Sequence, residues 1–233
     1  MDRNRGQLSP GLIERPSSVT DQVFEELYHR VVSLEMPPGA KTSETEVATV
    51  LGVSRQPVRD AFYRLSKAGF LVIRPQRATT VSKISETAVR QARFIRTALE
   101  VETTRVACQQ LTDDDLGALE DILAQQDRAV LQGDKMGFHD LDDLFHRQIC
   151  ERAGVGYVWR LIQEHKAHMD RVRFLSLSFA SQRAYDDHRH LFEALKNRNG
   201  EEAVEQMRRH LSTILEHFPR IRAENTEYFD DED

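Results

Sequence analysis

Four residues in the second half of the chain have the types and spacing of a metal site. Asp142 and His146 stand four apart in a stretch patterned as helix, 134–153, so both side chains leave one face. His188 and His210 flank the helix-breaking pair Asn199-Gly200. Each is about 11 residues, roughly 16 Å of helix, from that turn. In an antiparallel hairpin the two rings would stand at the same height. Asp142, His146, His188 and His210 could then converge on one ion from three helices. Three imidazoles and one carboxylate suit Zn²⁺, Ni²⁺ or Mn²⁺, with a position left for water or ligand. The competing reading is a set of unrelated polar residues, because His139, His165, His168, His190 and His217 lie in the same half.

A second group sits near the N-terminus. Ser54 reads as the cap of a helix running to about Lys67, with Pro57 in its first turn, where backbone N–H groups have no helical partner. On a wheel at about 100° per residue, Val58, Ala61, Phe62 and Leu65 share one side. Arg55, Gln56, Arg59 and Tyr63 share the other. Such a helix packs through one face and offers two guanidinium groups, one turn apart, through the other. Arginine bidentate to guanine in the major groove is the commonest specific base contact. For an arbitrary helix the alternative is a merely solvated face.

The elements around these groups follow from local pattern. A first helix fits 18–34, stopped by Pro37-Pro38-Gly39. Ser43 and Glu46 read as a capping box opening a short second helix that ends at Gly52. After the arginine-bearing helix, 70–73 and 79–81 read as strands joined by the turn Arg74–Arg77. Beyond Ser85 the chain reads as helices over 85–110, 112–132, 134–153, 156–177, 181–198 and 200–217, with Pro219 after the last. The expected class is mainly α: a winged helix-turn-helix of three helices and a β-hairpin, then an all-helical antiparallel bundle. The expected division is an arm over 1–16, a DNA-binding unit over 17–83, an effector and metal-binding unit over 84–220 and an acidic tail over 221–233.

Charge divides the same way. Residues 1–83 carry 12 Lys+Arg against 9 Asp+Glu, and the remainder 20 against 29. A basic head joined to an acidic body fits a nucleic-acid-facing module beside one that does not touch it. Two cysteines without a Cys-x-x-Cys pair read as buried thiols of a reducing compartment. With no apolar leader or span, a cytoplasmic location is expected.

Pro37-Pro38-Gly39, the run Leu51-Gly52-Val53-Ser54-Arg55-Gln56-Pro57-Val58-Arg59-Asp60-Ala61, and Gly69-Phe70-Leu71-Val72 together resemble the N-terminal domain of GntR-type regulators. The resemblance implies DNA contacts from Arg55, Gln56 and Arg59, and from the wing tip near Gln76 and Arg77. It also implies a contact from the position of Thr45, where the family often carries a basic residue. Ala78 stands where the family's wing usually has glycine, which restricts the turn there to negative φ.

The second half resembles the FCD effector domain through Asp142, Phe145 and His146, then His188, Leu191, Ala194 and Leu195, then Ala203, Met207, His210 and Leu211. That likeness implies a divalent ion, Zn²⁺ before Ni²⁺ or Mn²⁺, on the Asp and three His. Arg96 and Glu100 match a further pattern of the domain. They imply either a carboxylate-binding arginine in the bundle or an i,i+4 ion pair. The expectation is a ligand-responsive repressor, not an enzyme. It would bind a palindromic operator as a homodimer and sense a small organic acid. The alternatives are a metal-dependent hydrolase using the His₃Asp group and a protein-binding scaffold. No Glu base of the H-E-x-x-H kind stands beside the ligands.

Overall fold

A computed structural model describes residues 18–230. The arm expected over 1–16 and the last three residues lie outside it. Helix α1 (Val19–Val32) opens at Ser18, whose hydroxyl accepts the Asp21 N–H at 3.1 Å while the Asp21 carboxylate accepts from the Ser18 N–H. Its stripe of Val23, Leu27 and Val31 is buried. Strand β1 (Lys41–Thr42) follows, then α2 (Glu44–Leu51), capped by Ser43 and closed by Gly52 at φ +65°. Helix α3 (Arg55–Lys67) starts at Ser54, although that hydroxyl makes no cap hydrogen bond. Strands β2 (Leu71–Val72) and β3 (Thr79–Val81) complete the wing.

The wing is a sheet of order β1-β3-β2, antiparallel throughout, with Lys41 opposite Thr80 and Leu71 opposite Val81. The expected hairpin is therefore three-stranded. Two residues are too short to carry a period, which hides β1 in sequence.

Helices α4 (Glu86–Gln110), α5 (Asp113–Gln132), α6 (Lys135–Arg152), α7 (Tyr157–Lys196) and α8 (Gly200–Glu224) form the bundle. Leu119, Phe145, Ile149, Leu191, Leu195 and Met207 lie in its core. Two expectations are corrected here. The break expected at 178–181 is absent, and α7 is one helix of 40 residues. Its serines stay helical by donating back to the preceding turn: Ser181 to the Leu177 carbonyl at 2.9 Å, Ser176 to that of Arg173 at 2.9 Å. Pro219 lies inside α8 rather than after it. It stands on the exposed side, where water can serve the Leu215 carbonyl that it cannot, while buried Phe218 and Ile221 hold the helix to the bundle.

Residues 221–230, expected as part of an acidic tail, are structured. Helix α8 runs to Glu224, a 3₁₀ turn covers Thr226–Tyr228, and buried Phe229 forms a parallel bridge with Ile84.

Helix α7 belongs to both units. Its Ala167 is part of the core made by Val58, Phe62, Leu65 and Phe70 of the head. The His168 ring stacks on Phe70 with centroids 4.6 Å apart, and Arg171 donates to the Ser82 carbonyl at 2.6 Å. Burial pulls the Arg171 guanidinium down to about 10, partly offset by Asp230. Both cysteines are free and buried. No described helix is long and apolar enough to cross a membrane.

Candidate metal centre and nucleic-acid interface

Asp142, His146, His188 and His210 meet in the bundle. Each offers a ligand atom, and these atoms lie within 4.8 Å of one another. Nε2 of His210 is 3.2 Å from Nε2 of His146 and 3.3 Å from Nε2 of His188. Asp142 places Oδ1 3.6 Å from His188 Nε2 and Oδ2 3.9 Å from His146 Nε2. Donors held about 2.0–2.1 Å from one ion in a tetrahedron lie about 3.3–3.4 Å apart, so the spacing of the ring nitrogens fits such an ion.

Each opposite ring nitrogen faces an oxygen of a neighbouring side chain. Nδ1 of His146 faces Glu100 Oε2 at 2.5 Å, Nδ1 of His188 faces Gln126 Oε1 at 2.9 Å, and Nδ1 of His210 faces Asp187 Oδ2 at 3.6 Å. The Gln126 acceptor behind His188 favours the proton on Nδ1 of that ring and aims its Nε2 lone pair inward, while carboxylates stand behind the other two rings.

The charge states agree. Burial, then neighbouring His210, pushes the His188 imidazole well below its ordinary value. Burial likewise lowers His210, opposed by the neighbouring Asp187 carboxylate. Burial would raise Asp142, but Arg173 and then the three histidines outweigh it and hold the carboxyl well below the ordinary range. His188 and His210 are thus favoured in the neutral form and Asp142 as the carboxylate, the forms a divalent ion requires.

A cavity of about 60 Å³ opens beside this cluster. Arg96, Asp142, Arg173 and His210 supply its polar wall, and Phe138, Met169 and Ile214 line the apolar side. Arg96 lines the cavity and also donates to Glu100 at 2.6 Å, which is the i,i+4 ion pair. Glu100 is absent from the cavity wall and stands behind His146. A second carboxylate group, Asp143 and Asp170 with His139, is already served by Lys166, 2.8 Å from Asp143, and by Arg173, 3.1 Å from Asp170.

Arg173, a lesser candidate from sequence for pairing with a carboxylate effector, instead pairs with Asp142, while Gln126 and Asp187 carry no motif that singles them out. Asp187 adjoins His188 and could have been suspected. Gln126 bonds a ring 62 positions away and carries no sequence signal.

On the head, Val58, Ala61, Phe62 and Leu65 of α3 are buried, while Arg55, Gln56, Arg59 and Tyr63 are exposed. Glu44 of α2 reaches both arginines, 3.3 Å from Arg55 Nη2 and 3.4 Å from Arg59 Nε. Gln56 donates to Asp60 at 3.0 Å, and Thr45 is exposed at the start of α2. At the wing tip, Arg77 N–H donates to the Arg74 carbonyl at 3.3 Å around Pro75 and Gln76. Gln76 takes φ +56°, the left-handed conformation found at the third position of a type II turn. Ala78 is not left-handed, so this turn meets its steric demand at Gln76.

An arginine-faced helix over a wing, carried by a helical bundle with a ligand-ready histidine cluster, defines a transcriptional regulator with a separate effector domain. Residues 19–81 match the family described as bacterial regulatory proteins, gntR family, and residues 91–213 match the FCD domain. The chain belongs to the gntR family of regulators and carries an FCD domain. It is 37% identical over 216 residues to the HTH-type transcriptional repressor RspR of Escherichia coli (strain K12), covering 92% of this chain and 95% of that one. It is 34% identical over 214 residues to an HTH-type transcriptional regulator in an unstable DNA locus of Streptomyces ambofaciens, covering 89% and 88%. The solved structure of E. coli McbR/YncC shares the fold, with a TM-score of 0.71 at 24% identity, over 86% of this chain and 99% of that one.

Proposed function

We propose that this chain is a cytoplasmic repressor that binds a palindromic operator as a homodimer and is controlled by a small organic acid. Arg55, Gln56 and Arg59 read base edges, Thr45 supports them from α2, and Gln76 and Arg77 of the wing engage the adjacent backbone or groove. Asp142, His146, His188 and His210 hold a divalent ion, Zn²⁺ before Ni²⁺ or Mn²⁺. The ion, when bound, supplies a fixed positive charge and a coordination position for a carboxylate. Arg96 adds a guanidinium fork on the same cavity. The observation that carries this reading is the meeting of the four ligand side chains beside an arginine-lined cavity. Effector binding favours one packing of the bundle helices, and α7 passes that preference to the head.

Hydrolysis is not favoured. Glu100 is bonded to Arg96 and Asp187 to Arg183, so each carboxylate already serves a cation of the protein.

Elemental analysis of purified protein, followed by operator binding with graded carboxylates, tests the reading. One divalent ion per chain and an affinity that moves with one class of acid are expected. A protein that takes up no divalent ion, or whose DNA affinity no acid changes, would refute the sensing part.

A further inference from the structure

A basic groove runs along the seam between the head and the bundle, enclosing about 600 Å³. Lys41, Arg74 and Arg77 come to it from the wing, Lys83 from the connector before α4, and Asp230 from the segment after α8. Lys41, Arg74 and Arg77 are exposed and Lys83 is half-buried. Among the described residues none of these four cations forms an ion pair. Four cations against one carboxylate leave a surplus of three positive charges.

Both units hold Lys83 in place. Ser82, before it, gives its N–H to the Phe70 carbonyl of the head at 2.9 Å, and its own carbonyl accepts from Arg171 of α7 at 2.6 Å. Ile84, after it, is buried, donates to the Tyr228 carbonyl at 2.8 Å and accepts the Asp230 N–H at 3.1 Å. Arg171 is itself buried, and its Nε has no hydrogen-bond partner among the described residues. A fifth positive charge therefore stands behind the Ser82 wall of the groove.

Fixed positive charge in a concave surface, without an internal counterion, fits a polyanion. The turn Arg74–Arg77 that brings two of the cations is the part of the wing read as reaching DNA beside α3, so the polyanion that arrives there is the duplex. We propose that Lys41, Arg74, Arg77 and Lys83 form one seat for DNA phosphates that spans head and bundle, outside the base pairs that α3 reads. The bundle then takes a direct part in DNA binding: it anchors the backbone on either side of Lys83 and sets Asp230 against the seat as a fixed opposing charge. A head displaced from the bundle would split the seat. The seat adds affinity without reading bases. The inference rests on the reading of the wing as a DNA-contacting element.

The test uses the full chain, with operator and scrambled duplexes titrated by fluorescence anisotropy over a range of salt. Lys41→Ala/Lys83→Ala is expected to weaken both duplexes alike, about tenfold near 50 mM salt, and to lower the slope of log affinity against log salt by about two. Lys41→Arg/Lys83→Arg should match wild type. Asp230→Asn should tighten both duplexes a few-fold at low salt, with the gain fading at high salt. Wild-type affinity and slope in Lys41→Ala/Lys83→Ala, with binding still weakened by Arg77→Ala, would overturn the seat and leave the wing's role standing. So would a loss that does not change with salt, or one confined to the operator. Unchanged binding in Asp230→Asn would remove the bundle from the seat and overturn the spanning arrangement. Unchanged binding in Arg77→Ala would overturn the reading of the wing and the inference with it.

Discussion

Nη2 of Arg173 lies 2.5 Å from Oδ2 of Asp142, the carboxylate that faces His146 and His188. Asp142 is thus shared between a protein cation and the place where the imidazoles would hold an ion. Arg173 also serves Asp170 at 3.1 Å and Asp143 at 3.5 Å. Arg173→Ala should cost about 3–5 kcal/mol of stability in chelator, because it strands buried carboxylates. The loss should be smaller with Zn²⁺ present, since the ion then compensates Asp142. Urea titrations in the two conditions check this, and equal losses would separate Arg173 from the ion site.

Gln126 positions His188 without touching an ion. Gln126→Leu keeps the volume and removes the acceptor behind Nδ1. Affinity for Zn²⁺ should fall about 10- to 100-fold while the helical content stays constant. Competition with a chromophoric chelator measures it, and unchanged affinity would mean that the ring is oriented by packing alone, for instance by its stack on Phe145 at 4.6 Å.

Glu44 holds both α3 arginines in the free protein. Arg59→Ala should weaken operator binding by about 1–3 kcal/mol. Glu44→Gln should do the reverse on DNA of arbitrary sequence, tightening it a few-fold at low salt by removing a competing carboxylate. Discrimination between operator and scrambled duplex should shrink. Parallel anisotropy titrations of both duplexes decide, and loss of affinity in Glu44→Gln would mean that the tether preorganises the arginines instead.

His168 makes the junction of head and bundle sensitive to acid. Burial, and then Arg171, lowers its imidazole below the ordinary 6.5, against a hydrogen bond involving the Ala68 backbone. The unfolded chain therefore takes up this proton first, and stability falls as pH drops below about 6.5. His168→Phe keeps a ring on Phe70 and removes the proton site. The variant should lose less thermal stability than wild type between pH 7.5 and 5.5, as read by circular dichroism. Identical pH profiles would exclude His168 as a contributor.

The legible parts of this molecule were those written in local pattern. The His188 and His210 pair could be aligned because a tight turn at Asn199 fixes the height of two neighbouring helices, and Asn199 does cap α8 through the Glu202 N–H. The α3 wheel separated its faces because four buried apolar residues recur at helical spacing. The supports were illegible for the opposite reason. Glu100, Gln126 and Arg173 act through partners on other helices, and only packing decides which polar residue faces which ring. Ser178–Ser181 misled because serine ends helices in one setting and bonds back along them in another.

The unbroken course of α7 sets a counting rule. His168 on the head and His188 in the cluster are separated by 20 residues, roughly 30 Å of one rod. Inserting a single residue between them would swing one end by about 100° relative to the other. Either the Phe70 stack or the histidine cluster would then face the wrong way. Length variation in this stretch is therefore confined to steps near whole turns, three, four or seven residues, whereas the apolar side chains along the cavity are not bound by that rule. A rod of this kind lets ligand preference drift while the phase between sensing end and reading end stays locked.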